Sequence, residues 1–98
     1  MRQLGSVAHL TVTPGRIKGP APEPGQHTGD VLGQLSRNGP GGSSTLSNPP
    51  THPLEGITVL DMTSIIAGPL GCSLVAELGA QVIRVEAPEG DWMRRAVR

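Results

Sequence analysis

Aromatic side chains are nearly missing from this sequence: Trp92 stands alone, with no Phe and no Tyr. Whatever core forms must therefore be aliphatic. Cysteine is as scarce. Cys72 has no second thiol to pair with, so no disulfide can close within the chain, and a reducing compartment is the natural assignment. Neither sign of charge is in excess, since eight basic residues balance eight acidic ones. With no net positive field to hold phosphates, nucleic acid is not expected as the main partner. No apolar run approaches the roughly 18 residues that a membrane span needs, so no membrane partner is expected. Met1-Arg-Gln-Leu-Gly5 is not followed by the apolar stretch of a signal peptide. The expectation is a soluble, cytoplasmic protein.

Proline and glycine are abundant and unevenly placed, and most of both fall in residues 1–53. Apolar periodicity gathers after them. Ile57 to Leu60 is a short apolar run ending at Asp61, and a polar turn at Thr63-Ser64 follows. Gly68-Pro69 opens a helix, with proline at the first helical position, where its missing N–H costs nothing. Leu70, Leu74 and Leu78 recur every four residues as one stripe. Gly79 falls where a left-handed cap is expected. Gln81 to Val85 is a second, β-branched run, ending in Glu86.

Two such runs joined by a helix make a βαβ unit with parallel strands. The expected fold class is α/β. One Rossmann-like βαβ unit has a strand at about 57–61, a helix at about 69–78 and a strand at about 81–86. A largely disordered Pro/Gly-rich segment with one short helix at about 29–35 precedes it. Three elements offer little apolar surface against the entropy of ordering them, and their sheet has two open edges. The unit is therefore expected to be a piece of a larger sheet, completed by further sequence or by another chain.

Upstream, Val7-Ala-His-Leu-Thr-Val-Thr13 alternates weakly, as a short edge strand would. Pro14-Gly15 is a turn signal. Prolines 20, 22 and 24 favour an extended path. Thr28 is a plausible N-cap with Asp30 in the first turn, and Val31, Leu32 and Leu35 give a stripe of about two turns. Residues 36–52 have almost no apolar content and form a flexible linker. Gly41-Gly-Ser-Ser44 within it lacks the Lys-Ser/Thr and the flanking strand of a phosphate-cradling loop. After Glu86, residues 87–91 are a loop, and Trp92-Met-Arg-Arg95 begins another helix. The basic end, residues 94–98, is a solvated terminus or an anion site.

The turn from Thr63 to Gly68 is the best candidate for chemistry. Amides at the start of the following helix point toward any anionic or carbonyl group lying there. Small residues at Ser64, Ala67 and Gly68 would admit a ligand to the backbone; packing alone would also explain them. A dinucleotide (NAD(P)-type) site is disfavoured, because only Gly68-x-x-Gly71 remains of the required G-x-G-x-x-G, and it lies inside the helix. His9, His27 and His52 stand at no ligand spacing, and no metal is expected. Cys72 lies near a helix start, which lowers thiol pKa values, but is expected to be a small buried residue. Asp61 and Glu86 end parallel strands on one side of the sheet, and capping is favoured over acid–base work.

Pro53-Leu-Glu-Gly-Ile-Thr-Val-Leu-Asp-Met-Thr63, then Ala67-Gly-Pro69, then Leu78-Gly-Ala-Gln-Val-Ile-Arg-Val-Glu-Ala-Pro-Glu-Gly-Asp91 with Arg94 three residues on, resembles the start of the family III CoA-transferases. This is the CaiB/BaiF group, with formyl-CoA transferase, carnitine CoA-transferase and α-methylacyl-CoA racemase. Gly15-Arg-Ile-Lys-Gly-Pro-Ala-Pro-Glu-Pro-Gly-Gln-His-Thr-Gly-Asp-Val-Leu32 resembles the end of the same family. The resemblance divides the chain into a C-terminal tail (1–35), a linker (36–52) and the head of a second, incomplete unit (53–98).

The resemblance implies coenzyme A or an acyl-CoA as substrate, with a carboxylic acid as the second partner. It implies CoA transfer between acids, or epimerisation of acyl-CoA, through an aspartate that attacks the thioester. That aspartate lies beyond the region matched, so no catalytic residue is assigned. The implied CoA-facing residues are Ser64, Ile65, Ile66 and Ala67 in the turn, with Ala87 and Arg94 toward the nucleotide end. Ile66 stands where formyl-CoA transferase has glutamine, and Ala87 where some members have a basic residue. Interlocked dimers in the family imply a homo-oligomer, or docking on a related chain as a non-catalytic assembly segment.

Overall fold

Thr58 to Asp61 and Gln81 to Arg84 are four-residue runs with β-branched members, which suits a pleated surface, and burial alternates along the first. The computed structural model, which describes residues 9–38 and 49–96, pairs them in parallel. The element order is α1 (Thr28–Asn38), β1 (Thr58–Asp61), α2 (Ala67–Glu77), β2 (Gln81–Arg84) and α3 (Met93–Ala96). The register sets Val59 beside Val82, Leu60 beside Ile83 and Asp61 beside Arg84. Gln81 N–H donates to the Ile57 carbonyl at 2.8 Å and Val85 N–H to the Asp61 carbonyl at 2.9 Å, so the ladder runs just past both strands. The α/β class and the parallel βαβ order are as the sequence predicts. β2 ends at Arg84 and not at Glu86, because β1 stops at Asp61 and the Val85 N–H makes the last ladder bond.

The crossover helix starts two residues earlier than proline suggests. Ala67 is its first residue and Ile66 its N-cap, with no side-chain cap. Pro69 is thus third in the helix and not first. It is still within the first turn, where an N–H has no partner to lose. The other end is sharper. Gly79 N–H donates to the Ala76 carbonyl at 3.0 Å and Ala80 N–H to the Val75 carbonyl at 3.1 Å. These two bonds are a Schellman motif, with Gly79 in the left-handed region at φ 105°. A Cβ on Gly79 would run into the His52 side chain, which approaches from the incoming segment. Leu54 N–H, donating to the Leu78 carbonyl at 3.0 Å, ties that segment to the same helix end.

α2 covers one face of the two strands. Leu74, Val75 and Leu78 are half-buried beneath it, whereas Leu70 stays exposed. The expected three-leucine stripe is thus shortened at its first member. Among the described residues Ala80 is the one fully buried apolar side chain. Leu60 is 60% exposed on the opposite face, although parallel sheets are ordinarily covered on both.

Residues 11–13 form bends and residues 9–10 no regular structure, in place of the expected edge strand, while Val7 and Ala8 lie outside the described residues. Val12 is almost fully exposed, so its alternation meets no layer to pack on. The predicted helix at 29–35 is longer, Thr28–Asn38, because no glycine interrupts it between Gly33 and residue 39. Asp30 in its first turn and Arg37 in its last complement the helix dipole. The predicted linker, 36–52, begins inside α1, and its middle, 39–48, lies outside the described residues. Residues 22–24, expected to be largely disordered, meet the loop after β2. The Pro22 carbonyl accepts a 2.8 Å bond from Arg94 Nη1, and Pro24 lies against Gly90.

Candidate functional site

Parallel strands end on the same side, so the turn after β1 and the loop after β2 meet there. The meeting point is a network of ions. Asp61, only 2% exposed, accepts from Thr63 N–H at 2.9 Å, from Thr63 Oγ1 at 2.6 Å and from Arg84 Nη1 at 3.2 Å. Arg84 reaches on to Asp91 Oδ2 at 2.7 Å through Nη2. Its Nε lies 2.9 Å from Glu86 Oε1, but poorly aligned, so that buried N–H gains charge contact without a hydrogen bond. Glu86 in turn holds Arg94 with both oxygens, Nε to Oε2 at 2.9 Å and Nη2 to Oε1 at 3.1 Å.

The Thr63 hydroxyl bond, more than any other contact, holds the Asp61 carboxyl below its usual range, against the cost of burial. For Glu86 the same direction comes chiefly from Arg94, and for Asp91 from the Met93 and Ile65 amides and Arg84. The Arg94 guanidinium is held above its ordinary value, first by its bonds to Glu86. Cys72 is half-buried, not fully buried. Burial and the Asp61 carboxylate push its thiol up, which disfavours the nucleophilic thiolate.

A prediction follows for acid stability. Each of the three carboxylates is depressed in the folded state, so the folded chain binds fewer protons than the unfolded one. Their contribution is full above the unfolded carboxylate range, about pH 4, and is lost as pH falls through the depressed values. Urea midpoints should stay level between about pH 5 and 7 and fall below about pH 4. A midpoint that rises on acidification would contradict this assignment.

The predicted contact residues divide into two groups. Ser64, Ile65, Ile66 and Ala67 are exposed neighbours on the turn, with Ile65 and Ile66 more than half exposed. Ile65 is at φ 70°, a conformation that costs a β-branched residue on the order of 1–3 kcal/mol. Ala87 is exposed on the second loop, where its carbonyl accepts Gly90 N–H at 2.8 Å and closes a turn. Arg94 is half-buried, and its guanidinium is engaged by Glu86 and Pro22. Ile65 and Arg94 are the two ends of one chain of contacts through Asp91, Arg84 and Glu86.

Sequence reasoning missed Arg84 and Asp91 as organisers. A signal for Arg84 was present: aligning the ends of the two parallel runs sets it beside Asp61. Gly68 proves small for a structural reason, since a Cβ there would strike Thr63, which Asp61 fixes. A shallow cleft of about 360 Å³ lies elsewhere, between residues 12–16 and 50–52, and none of the predicted contact residues lines it. Among the described residues, no cluster of His, Cys, Asp or Glu is placed to hold a metal, and no helix is long and apolar enough to cross a membrane.

The fold and this strand-end turn define a parallel βαβ segment of the α/β class. Residues 54–98 match the family model described as CoA-transferase family III. A probable fatty acyl-CoA transferase of Mycobacterium tuberculosis is 50% identical over 46 residues, covering 47% of this chain and 12% of that protein. A formyl-CoA:oxalate CoA-transferase of Streptomyces avermitilis is 52% identical over 48 residues, 49% of this chain and 12% of its own length. The succinyl-CoA–L-malate CoA-transferase alpha subunit of Chloroflexus aurantiacus is 36% identical over 89 residues, covering 86% of this chain and 19% of that subunit. The chain thus spans less than a fifth of the length of each of these relatives. No solved structure matches it. Residues 54–98 are thus similar to a segment of the family III CoA-transferases.

Proposed function

We propose that residues 53–98 are the CoA-binding head of a family III CoA-transferase unit, a Rossmann-like segment whose turn at 64–67 faces coenzyme A or an acyl-CoA. The observation that carries this is the coincidence of the family match with an exposed strand-end turn at the start of α2. The parent chemistry would be CoA transfer to a carboxylic acid or epimerisation of an acyl-CoA. Residues 1–35 are proposed as the tail of a preceding unit and 36–52 as a linker. The contacts of Pro22 with Arg94 of α3 and of Pro24 with Gly90 support a tail that packs on a head. The Chloroflexus match covers too much of the chain to be confined to residues 54–98. A head with an N-terminal extension is therefore the competing arrangement, and the reading frame in the flanking DNA separates the two.

Calorimetric titration tests the reading. The 98-residue chain should bind CoA and not NAD, and Ala67→Glu, placing a like charge before the phosphates, should weaken CoA by about tenfold or more. Acyl-CoA turnover by the chain alone is expected to be undetectable. Binding of NAD in preference to CoA, or turnover, would overturn the proposal.

A second reading, a non-catalytic assembly segment, is favoured by the uncovered side of the sheet. Leu60 and Val85 are each at least half exposed on that side of the two strands. Such a segment would dock on a full-length relative or a second copy. Co-purification with a longer CoA-transferase would support it; a monomer with a well-dispersed NMR spectrum would count against it.

A further inference from the structure

We propose that Asp91 is a positioning residue for the turn after β1, a latch that holds Ile65 in its left-handed conformation and so shapes the backbone offered at residues 64–67. The inference rests on the ligand reading above for its functional consequence, and on geometry for the latch itself.

The two oxygens of Asp91 do different things. Oδ1 accepts Met93 N–H at 2.8 Å and starts α3, as a helix-capping carboxylate does. Capping alone would satisfy that residue. Oδ2 reaches back across 26 positions to accept Ile65 N–H at 3.2 Å, while also taking Arg84 Nη2 at 2.7 Å. Ile65 has little else to hold it. Its φ is 70° and its side chain is more than half exposed, so apolar packing does not offset the strain. A strained residue persists where its surroundings over-determine it. Here the turn is gripped at both ends, Thr63 by Asp61 and Ile65 by Asp91, and Arg84 bridges the two carboxylates. Asp91 is itself fixed by its neighbour Gly90, which is buried against Pro24 and Arg94. Releasing the latch lets Ile65 relax and turns the 64–67 backbone away from its present shape.

The test uses the full chain with Asp91→Asn, and Glu89→Gln on the same loop as control. In Asp91→Asn the Ile65 amide should exchange about tenfold faster or more, while Ala80 and Gln81, bonded to Val75 and Ile57, keep their protection. CoA should bind about tenfold more weakly. Asp91→Glu, which restores the charge, should recover part of both losses. In the unmodified chain the Ile65 amide shift should follow a carboxylate that titrates below the usual range; that readout decides the latch even where Asp91→Asn fails to fold. Unchanged exchange and no such titration at Ile65 would overturn the latch. Faster exchange with unchanged CoA affinity would overturn its positioning role. A chain that never binds CoA would instead defeat the ligand reading, and the Ile65 readouts would still decide the latch.

Discussion

Asp61→Ala should lower the stability of this chain by about 2–4 kcal/mol, enough to unfold a small domain. The side chain is almost wholly buried and accepts from the Thr63 amide, the Thr63 hydroxyl and Arg84. Truncation leaves those donors facing a void, and an unpaired buried donor costs about 1–3 kcal/mol. Arg84 would keep Glu86 and Asp91 and is a quarter exposed, which holds the loss below that of a fully buried pair. Urea denaturation followed by far-UV circular dichroism should show the midpoint of Asp61→Ala far below that of the parent chain. Glu89→Gln, on an exposed side chain, should stay within about 0.5 kcal/mol. Equal midpoints for Asp61→Ala and the parent chain would show that the network does not hold the strand ends.

Gly79→Ala should destabilise by a similar amount. A non-glycine residue at such a φ costs on the order of 1–3 kcal/mol, and the new methyl would also overlap His52. The group it would strike first is the His52 Cβ, which no rotamer change can move away. Gly71→Ala supplies a control of opposite sign. Gly71 lies inside α2 with open space where a methyl group would project, and alanine there should stabilise by about 0.5–1 kcal/mol. Paired thermal melts of the two variants should move in opposite directions. A Gly79→Ala chain as stable as the parent would show that the helix end is not the cap described.

The contrast between these two glycines marks how far the sequence could be read. Gly79, after an apolar helical stretch and before a β-branched run, carries its own signal. So do the two strands, whose parallel pairing follows from a single intervening helix. Boundaries were less legible. Pro69 tolerates any place in a first turn, so it could not say whether α2 began at 67 or 69. The end of β2 depended on where β1 stops supplying ladder partners, at Asp61, which is settled in three dimensions. The chain of ions between residues 61 and 91 was hidden for the same reason. Arg84 looks like a lone charge in an apolar strand until the register sets it beside Asp61. Ile65 at positive φ could not be anticipated, because nothing local favours that conformation for a β-branched residue. Val7 to Thr13 failed as a strand where it is described, from residue 9 on, because alternation alone supplies no neighbour to bond to.

Uncovered apolar surface follows from the same geometry. A four-residue pair with one crossover helix hides one face, which leaves Leu60 and Val85 in solvent on a chain that spans only a small part of its relatives. The turn at 64–67 is held from behind by Asp61 and Asp91.

The most direct test of the ligand turn is a residue-resolved titration of the ¹⁵N-labelled chain with CoA, with NAD in a parallel series. The account predicts that CoA shifts the amides of Ser64, Ile65, Ile66 and Ala67 together with those around Ala87 and Arg94, and that NAD does not. Shifts confined to the cleft at residues 12–16 and 50–52, or a turn at 64–67 that answers to NAD and not to CoA, would contradict it.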